Sequence, residues 1–195
     1  MLRLLGYLLC IALGLAAGGG VAAWQLRSGM SALDISNGPW RTAQHVGTRD
    51  ADMRTRAIIA LRGLLALPDS EAVYYNAAFD SDGEPLNGAC HYRVSGGRLP
   101  ARWWSVTAYA PDGYLISNRS GIYSVGSGAL SEEQQDDWSF TVGPHALAHP
   151  DEKWIPVAEN QPFELTLRAY HPGEELLDAR DSVALPTIIL LECFE

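Results

Sequence analysis

Five histidines, three cysteines and 23 acidic residues are the groups in this 195-residue chain that could ligate a metal, act as a nucleophile or move a proton. The sharpest spacing is His145 and His149 in HALAH, followed by Asp151 and Glu152. Four residues apart on a helix, two imidazoles share a face and could hold zinc. Pro144 and Pro150 leave at most one helical turn, however, and no HExxH glutamate sits between the histidines, so the pair is a weak metal candidate beside a plain surface loop. Asp80, Asp82 and Glu84 suggest calcium, yet the twelve-residue loop with its closing glutamate is absent and a solvated acidic turn is the simpler reading.

Nucleophiles fare no better. There is no GxSxG elbow, and Gly126-Ser127-Gly128 lacks the third glycine and the helix of a phosphate loop. Cys90 is followed by His91, but neither Cys90 nor Cys193 is flanked by bases that would hold a thiolate. In an oxidising compartment these two could form a disulfide tying the C-terminal strand to the first hairpin. Two separately buried thiols are the alternative, because spacing alone does not bring the Cα atoms within range. No catalytic residue is assigned and no cofactor is implied.

What remains is aromatic surface. Trp103, Trp104, Tyr114, Asn118 and Tyr123 are the ligand-binding candidates, since rings near turns can stack on sugars, aromatic ligands or a partner, with Arg102 and Asn118 as polar partners. Adjacent Trp103 and Trp104 point to opposite faces of a strand, so the pleat sends only one of them to the core.

The elements that must position these groups are mostly strands. WWSVTAY alternates, Pro111-Asp112-Gly113 supplies a tight turn, and YLIS follows, which predicts a central hairpin. Alternation recurs in EAVYYNAAF, in residues 90–94 and 138–142, and in the closing runs 163–170 and 187–194. One amphipathic helix is predicted over 50–67, capped by Thr48 or Asp50 and stopped by Pro68, to pack an apolar stripe on a sheet. Residues 121–128 and 143–154 read as loops, and SEEQQDD as a solvated acidic segment. The expected fold is mainly β, an antiparallel sandwich or jelly roll with one packed helix.

The run LPARWWSVTAYAPDGYLISN resembles the C-terminal module of the bacterial DUF1214 family, which usually stands beside a DUF1254 module. VYYNAAFDSDGEPLNGACHYRVSG before it and PFELTLRAYHPGEELLD after it extend the similarity to about residues 40–193. The resemblance implies no established reaction and supplies no catalytic residues.

Residues 4–26 carry no charge, and as a helix would extend roughly 30 to 35 Å, enough to cross a bilayer with Trp24 at the far interface. A cleaved signal peptide, with Arg3 before it and Val21-Ala22-Ala23 at its end, is the alternative, though the apolar run is longer than such peptides need. The chain divides into an anchor or signal peptide over 1–27, a linker over 28–48 and a β domain over 49–195. Arg3 favours an inside N-terminus, placing a single-pass protein in the bacterial inner membrane with its C-terminal domain in the periplasm. A formal net charge of −9 argues against nucleic acid as a partner. The reading is a membrane-tethered domain that binds a small ligand, a glycan or an envelope partner. Alternatives are an envelope hydrolase, or an accessory module for a DUF1254-type partner.

Overall fold

The computed structural model describes residues 2–27, 35–43, 48, 51, 53, 56–57, 60, 67–146 and 153–194. Helix α1 (Leu2–Arg27) opens the chain. Its segment Gly6–Trp24 is long and apolar enough to span a membrane, and none of it is buried by the rest of the protein. A signal sequence has the same features.

The remainder is mainly β. One sheet has six strands: β1 (Ile35–Asn37), β2 (Trp40–Thr42), β3 (Ala72–Ala77), β5 (Ala101–Tyr109), β6 (Ser124–Gly126) and β9 (Glu164–Pro172), in the order β1-β2-β3-β9-β5-β6. The other has four: β4 (Cys90–Gly96), β7 (Trp138–Gly143), β8 (Trp154–Pro156) and β10 (Thr187–Cys193), in the order β10-β4-β7-β8. All ladders are antiparallel except β7 with β8, which is parallel.

Period-two patterning decides which side of each strand faces the other sheet. Val73, Tyr75 and Ala77 of β3, Trp104, Val106 and Ala108 of β5, and Leu165, Leu167 and Ala169 of β9 face the second sheet. Tyr92 and Val94 of β4 and Trp138, Phe140 and Val142 of β7 meet them there. Trp104 and Trp138 close the sandwich with ring centroids 4.2 Å apart, and Tyr92 meets Phe163 at 5.8 Å. Buried indoles need a partner for their N–H. Trp40 donates to the Pro186 carbonyl at 2.6 Å and Trp138 to that of Gly97 at 2.8 Å. Trp40 thus pins β2, within the stretch expected to be linker, to the chain entering β10.

Two expectations change. The turn at Pro111-Asp112-Gly113 forms, with Gly113 N–H donating to the Ala110 carbonyl at 2.8 Å and Gly113 at φ 87°. Its second arm does not become a strand: YLIS contributes only an isolated bridge from Leu115 to Tyr109. The edges of β5 are taken by β9 and β6, so the chain after the turn swings out and returns to lay Val125 beside Val106. Strand β6 lies in the Gly/Ser stretch read as a loop, because three residues with one valine carry no period. The helix expected over 50–67 lies mostly outside the described residues; a short helix, α2 (Glu174–Asp178), buries Leu176.

The free edge of β10 is blunted by other means. Ser81 N–H donates to the Ile188 carbonyl at 2.8 Å, Ile188 N–H donates to Ser81 Oγ at 2.9 Å, and a bulge follows between Leu190 and Glu192. Interrupting the ladder this way removes a template for strand pairing with another chain.

Tyr75 is fully buried, and its hydroxyl donates to the Arg180 carbonyl at 3.3 Å. Burial pushes its pKa up to about 12 from 10.0, the nearby Arg180 charge lowering it and Asp181 raising it. The unfolded chain therefore ionises this phenol first as pH rises. Tyr75's contribution is complete below pH ~10 and is lost towards pH ~12, by up to roughly 3 kcal/mol. Urea unfolding at about pH 9 and pH 11 should show about half of that loss, and Tyr75→Phe should make it smaller; an unchanged difference would refute the assignment.

Candidate binding face

The outward side of the six-stranded sheet carries the residues the core leaves over. Because Trp104 points inward and is 2% exposed, Trp103 points outward and is 41% exposed. Register places Trp103 opposite Tyr170 of β9, with ring centroids 5.2 Å apart. The indole is supported from β6: a Cβ on Gly126 or Gly128 would stand 3.2 Å from its atoms. Glycine there lets the ring lie low across the neighbouring strand.

One rung along, Arg168 stands opposite Ser105. Its Nη2 donates to the Tyr109 hydroxyl at 2.9 Å, and its guanidinium carbon lies 5.3 Å from the centroid of that ring. Hydrogen bond and cation–π contact together hold the cation in one place. Thr166 donates from Oγ1 to Asn76 Oδ1 at 2.8 Å on the same face. The small hydroxyls of this face, Ser105, Thr107 and Thr166, are buried, and the exposed aromatic surface lies at Trp103.

The five ligand-binding candidates do not form one patch. Trp103 belongs to this face and Trp104 to the core, where it meets Trp138 rather than solvent. Tyr114 is 75% exposed at the tip beyond the far end of β5, about 20 Å or more from Trp103 by strand rise. Asn118 spends its side chain on its own loop, donating from Nδ2 to the carbonyls of Ile116 at 3.1 Å and Ile122 at 2.9 Å, and accepting from Ser120 Oγ. Tyr123 is half-buried beside them, its carbonyl accepting from Ala108 N–H at 3.3 Å. Arg102, expected as a polar partner, alternates with Trp103 and is exposed. Arg168 and Tyr170 were missed because only the β5–β9 register, across more than sixty residues, brings them beside Trp103.

The titratable groups gather elsewhere. His91 is fully buried on the outer side of the four-stranded sheet, against Gly143, where a Cβ would stand 2.0 Å from the imidazole. Its Nε2 donates to the His145 carbonyl at 2.7 Å, and its ring meets those of His145 and Phe194 edge-on at 4.6 and 5.1 Å. Glu192 Oε1 lies 3.9 Å from His91 Nδ1, which has no hydrogen-bond partner among the described residues. Cys90 and Cys193, cross-strand partners in the β4–β10 ladder, are joined by a disulfide beside this cluster. His149 lies outside the described residues. Among those described, no group of three His, Cys, Asp or Glu is arranged to hold a metal. His171 stands apart, its Nδ1 3.7 Å from Glu71. The acidic turn needs no ion: Asp80 Oδ1 accepts from the N–H groups of Asp82 and Glu84.

Fold and face define a two-sheet β domain preceded by an apolar helix. The profile of the DUF1214 family, described as a protein of unknown function, matches residues 71–174, and the chain belongs to that family. The crystal structure of the VPA0106 protein from Vibrio parahaemolyticus shares the fold, with a TM-score of 0.62 at 21% identity over 93% of this chain and 44% of that one. An uncharacterised protein from Burkholderia cenocepacia gives a TM-score of 0.46 at 16% identity over 93% and 43%. The chain therefore spans less than half the length of either. No match is found among curated proteins.

Proposed function

We propose that this protein is a membrane-tethered binding domain. It would be held by α1 as a single pass in the bacterial inner membrane, with its β domain in the periplasm and a glycan as ligand on the outer face of the six-stranded sheet. The observation that carries the reading is the Trp103–Tyr170 pair, in which Trp103 is 41% exposed and Tyr170 half-buried beside it, on a sheet whose other bulky rings are mostly covered. The open part of the Trp103 indole, with Tyr170 packed beside it, suits the apolar face of a sugar. Support for the hydrolase alternative is weaker, because His91 is fully enclosed and the carboxylate nearest it is not hydrogen-bonded to it.

Titrating the full-length protein in detergent with envelope oligosaccharides, followed by tryptophan fluorescence, tests the reading. Trp103→Ala is expected to weaken binding about tenfold or more with little change in thermal stability, as for an exposed aromatic anchor. Binding that survives Trp103→Ala but is lost in Tyr114→Ala would move the site to the loop end.

A second reading is an accessory module for a DUF1254-type partner, the module that family members of this kind usually stand beside. Cross-linking in native membranes that captures such a protein through this face would replace the glycan with a partner surface.

A further inference from the structure

We infer that the cleft between the β1–β2 turn and the turn after β3 binds a short peptide, two or three residues long, with both termini free. The cleft has a volume of about 350 Å³ and opens to solvent. It is separate from the aromatic face, because register sets Trp103 level with Tyr170 and Ala72, at the opposite end of β3.

Both walls are held in place by the fold. On one side Gly38 and Pro39 form the turn, and Arg41 follows in β2. Asn37 Nδ2 donates to the Val183 carbonyl at 2.7 Å, and the buried Trp40 anchors the returning strand. On the other side stand Phe79, Ser81 and Asp82. Ser81 N–H donates to the Ile188 carbonyl at 2.8 Å, and Asp80 Oδ1 accepts from the N–H groups of Asp82 and Glu84 at 3.0 and 2.9 Å. A cleft with fixed walls loses little entropy on taking a ligand.

The lining selects the chemistry. Arg41 and Asp82 are exposed, both border the cleft, and no ion pair joins them. Asp80 also borders it, but is 3% exposed and spends Oδ1 on its own turn, so Asp82 is the carboxylate open to a ligand. A simple anion drawn to Arg41 would meet the repulsion of Asp82, and a simple cation that of Arg41. A ligand carrying both charges, held apart, satisfies both walls. Its carboxylate goes to the Arg41 guanidinium and its α-ammonium to Asp82. Phe79 is 44% exposed at the same cleft and offers a ring to an apolar side chain between them. A cavity of that volume is about 9 Å across if rounded, and an extended chain advances at most ~3.3–3.6 Å per residue, so two or three residues bridge it.

The test titrates the full-length protein in detergent with Ala-Phe-Ala and Ala-Leu-Ala, each free, N-acetylated, C-amidated and doubly capped, by isothermal titration calorimetry. At least one free peptide should bind about tenfold or more tightly than either of its singly capped forms. Arg41→Gln should abolish the effect of amidation alone and Asp82→Asn that of acetylation alone, with the melting temperature unmoved because both side chains are exposed. If the doubly capped peptides bind as well as the free ones, or if no free peptide binds, the proposal is overturned. Undiminished sensitivity to amidation in Arg41→Gln would overturn it too. The comparison of free with capped peptides on the unaltered protein needs no variant to fold. None of these outcomes bears on the glycan reading, which rests on Trp103.

Discussion

Removing the Cys90–Cys193 bridge, by Cys90→Ser with Cys193→Ser or by dithiothreitol, is expected to lower stability by about 3 to 5 kcal/mol and the melting temperature by roughly 10 °C. The bridge joins residues 103 apart in sequence and fixes the last strand to β4. A closure that long restricts the unfolded chain strongly. It also seats Phe194, whose ring packs on His91 and His145. Losing it should free both the end of β10 and the cover over the buried imidazole. Denaturation of the full-length protein with and without reductant measures the effect. Superimposable curves would mean that β10 is held by its ladder alone.

The second large effect is expected at Asp69. Arg180 is buried, and it is the knot that ties the chain after α2 to the front of the domain. Its Nη1 donates to the Ala43 carbonyl at 2.9 Å, its Nε to that of Leu177 at 3.3 Å and its Nη2 to Asp69 Oδ2 at 3.1 Å. The Arg180 carbonyl in turn accepts from Tyr75. Asp69→Ala would leave a buried cation without its anion, at an expected cost of about 3 kcal/mol; partial exposure of Asp69 keeps the value at the low end of the range for such pairs. Replacing both ends, Asp69→Leu with Arg180→Met, should cost less than the sum of the single changes, because no charge is then stranded. Strict additivity in urea unfolding would show that the two residues act independently.

How far the sequence reaches can be seen strand by strand. β3, β5 and β9 are long enough to show a period of two, and the side of each that meets the second sheet follows from it, whereas β10 is a continuous apolar run of which only Ile188 is buried. β1, β2, β6 and β8 have three residues each and no readable period, so they disappear into stretches expected to be linker or loop. At the candidate site, the pleat already separates Trp103 from Trp104. Which of the two faces solvent depends on where the second sheet packs, and that is set by residues such as Trp138. Tyr170 and Arg168 look like ordinary strand residues until β9 is laid beside β5. The binding face is thus a product of register, and register between strands sixty residues apart leaves no local mark.

Hydroxyl-radical footprinting of the full-length protein, with and without oligosaccharides released from the cell envelope, tests the central claim most directly. The account predicts that Trp103 and Tyr170 lose reactivity on addition of the glycans, while Tyr114 and Tyr123 react as before. Protection centred on Tyr114, or no protected aromatic residue at all, would contradict it.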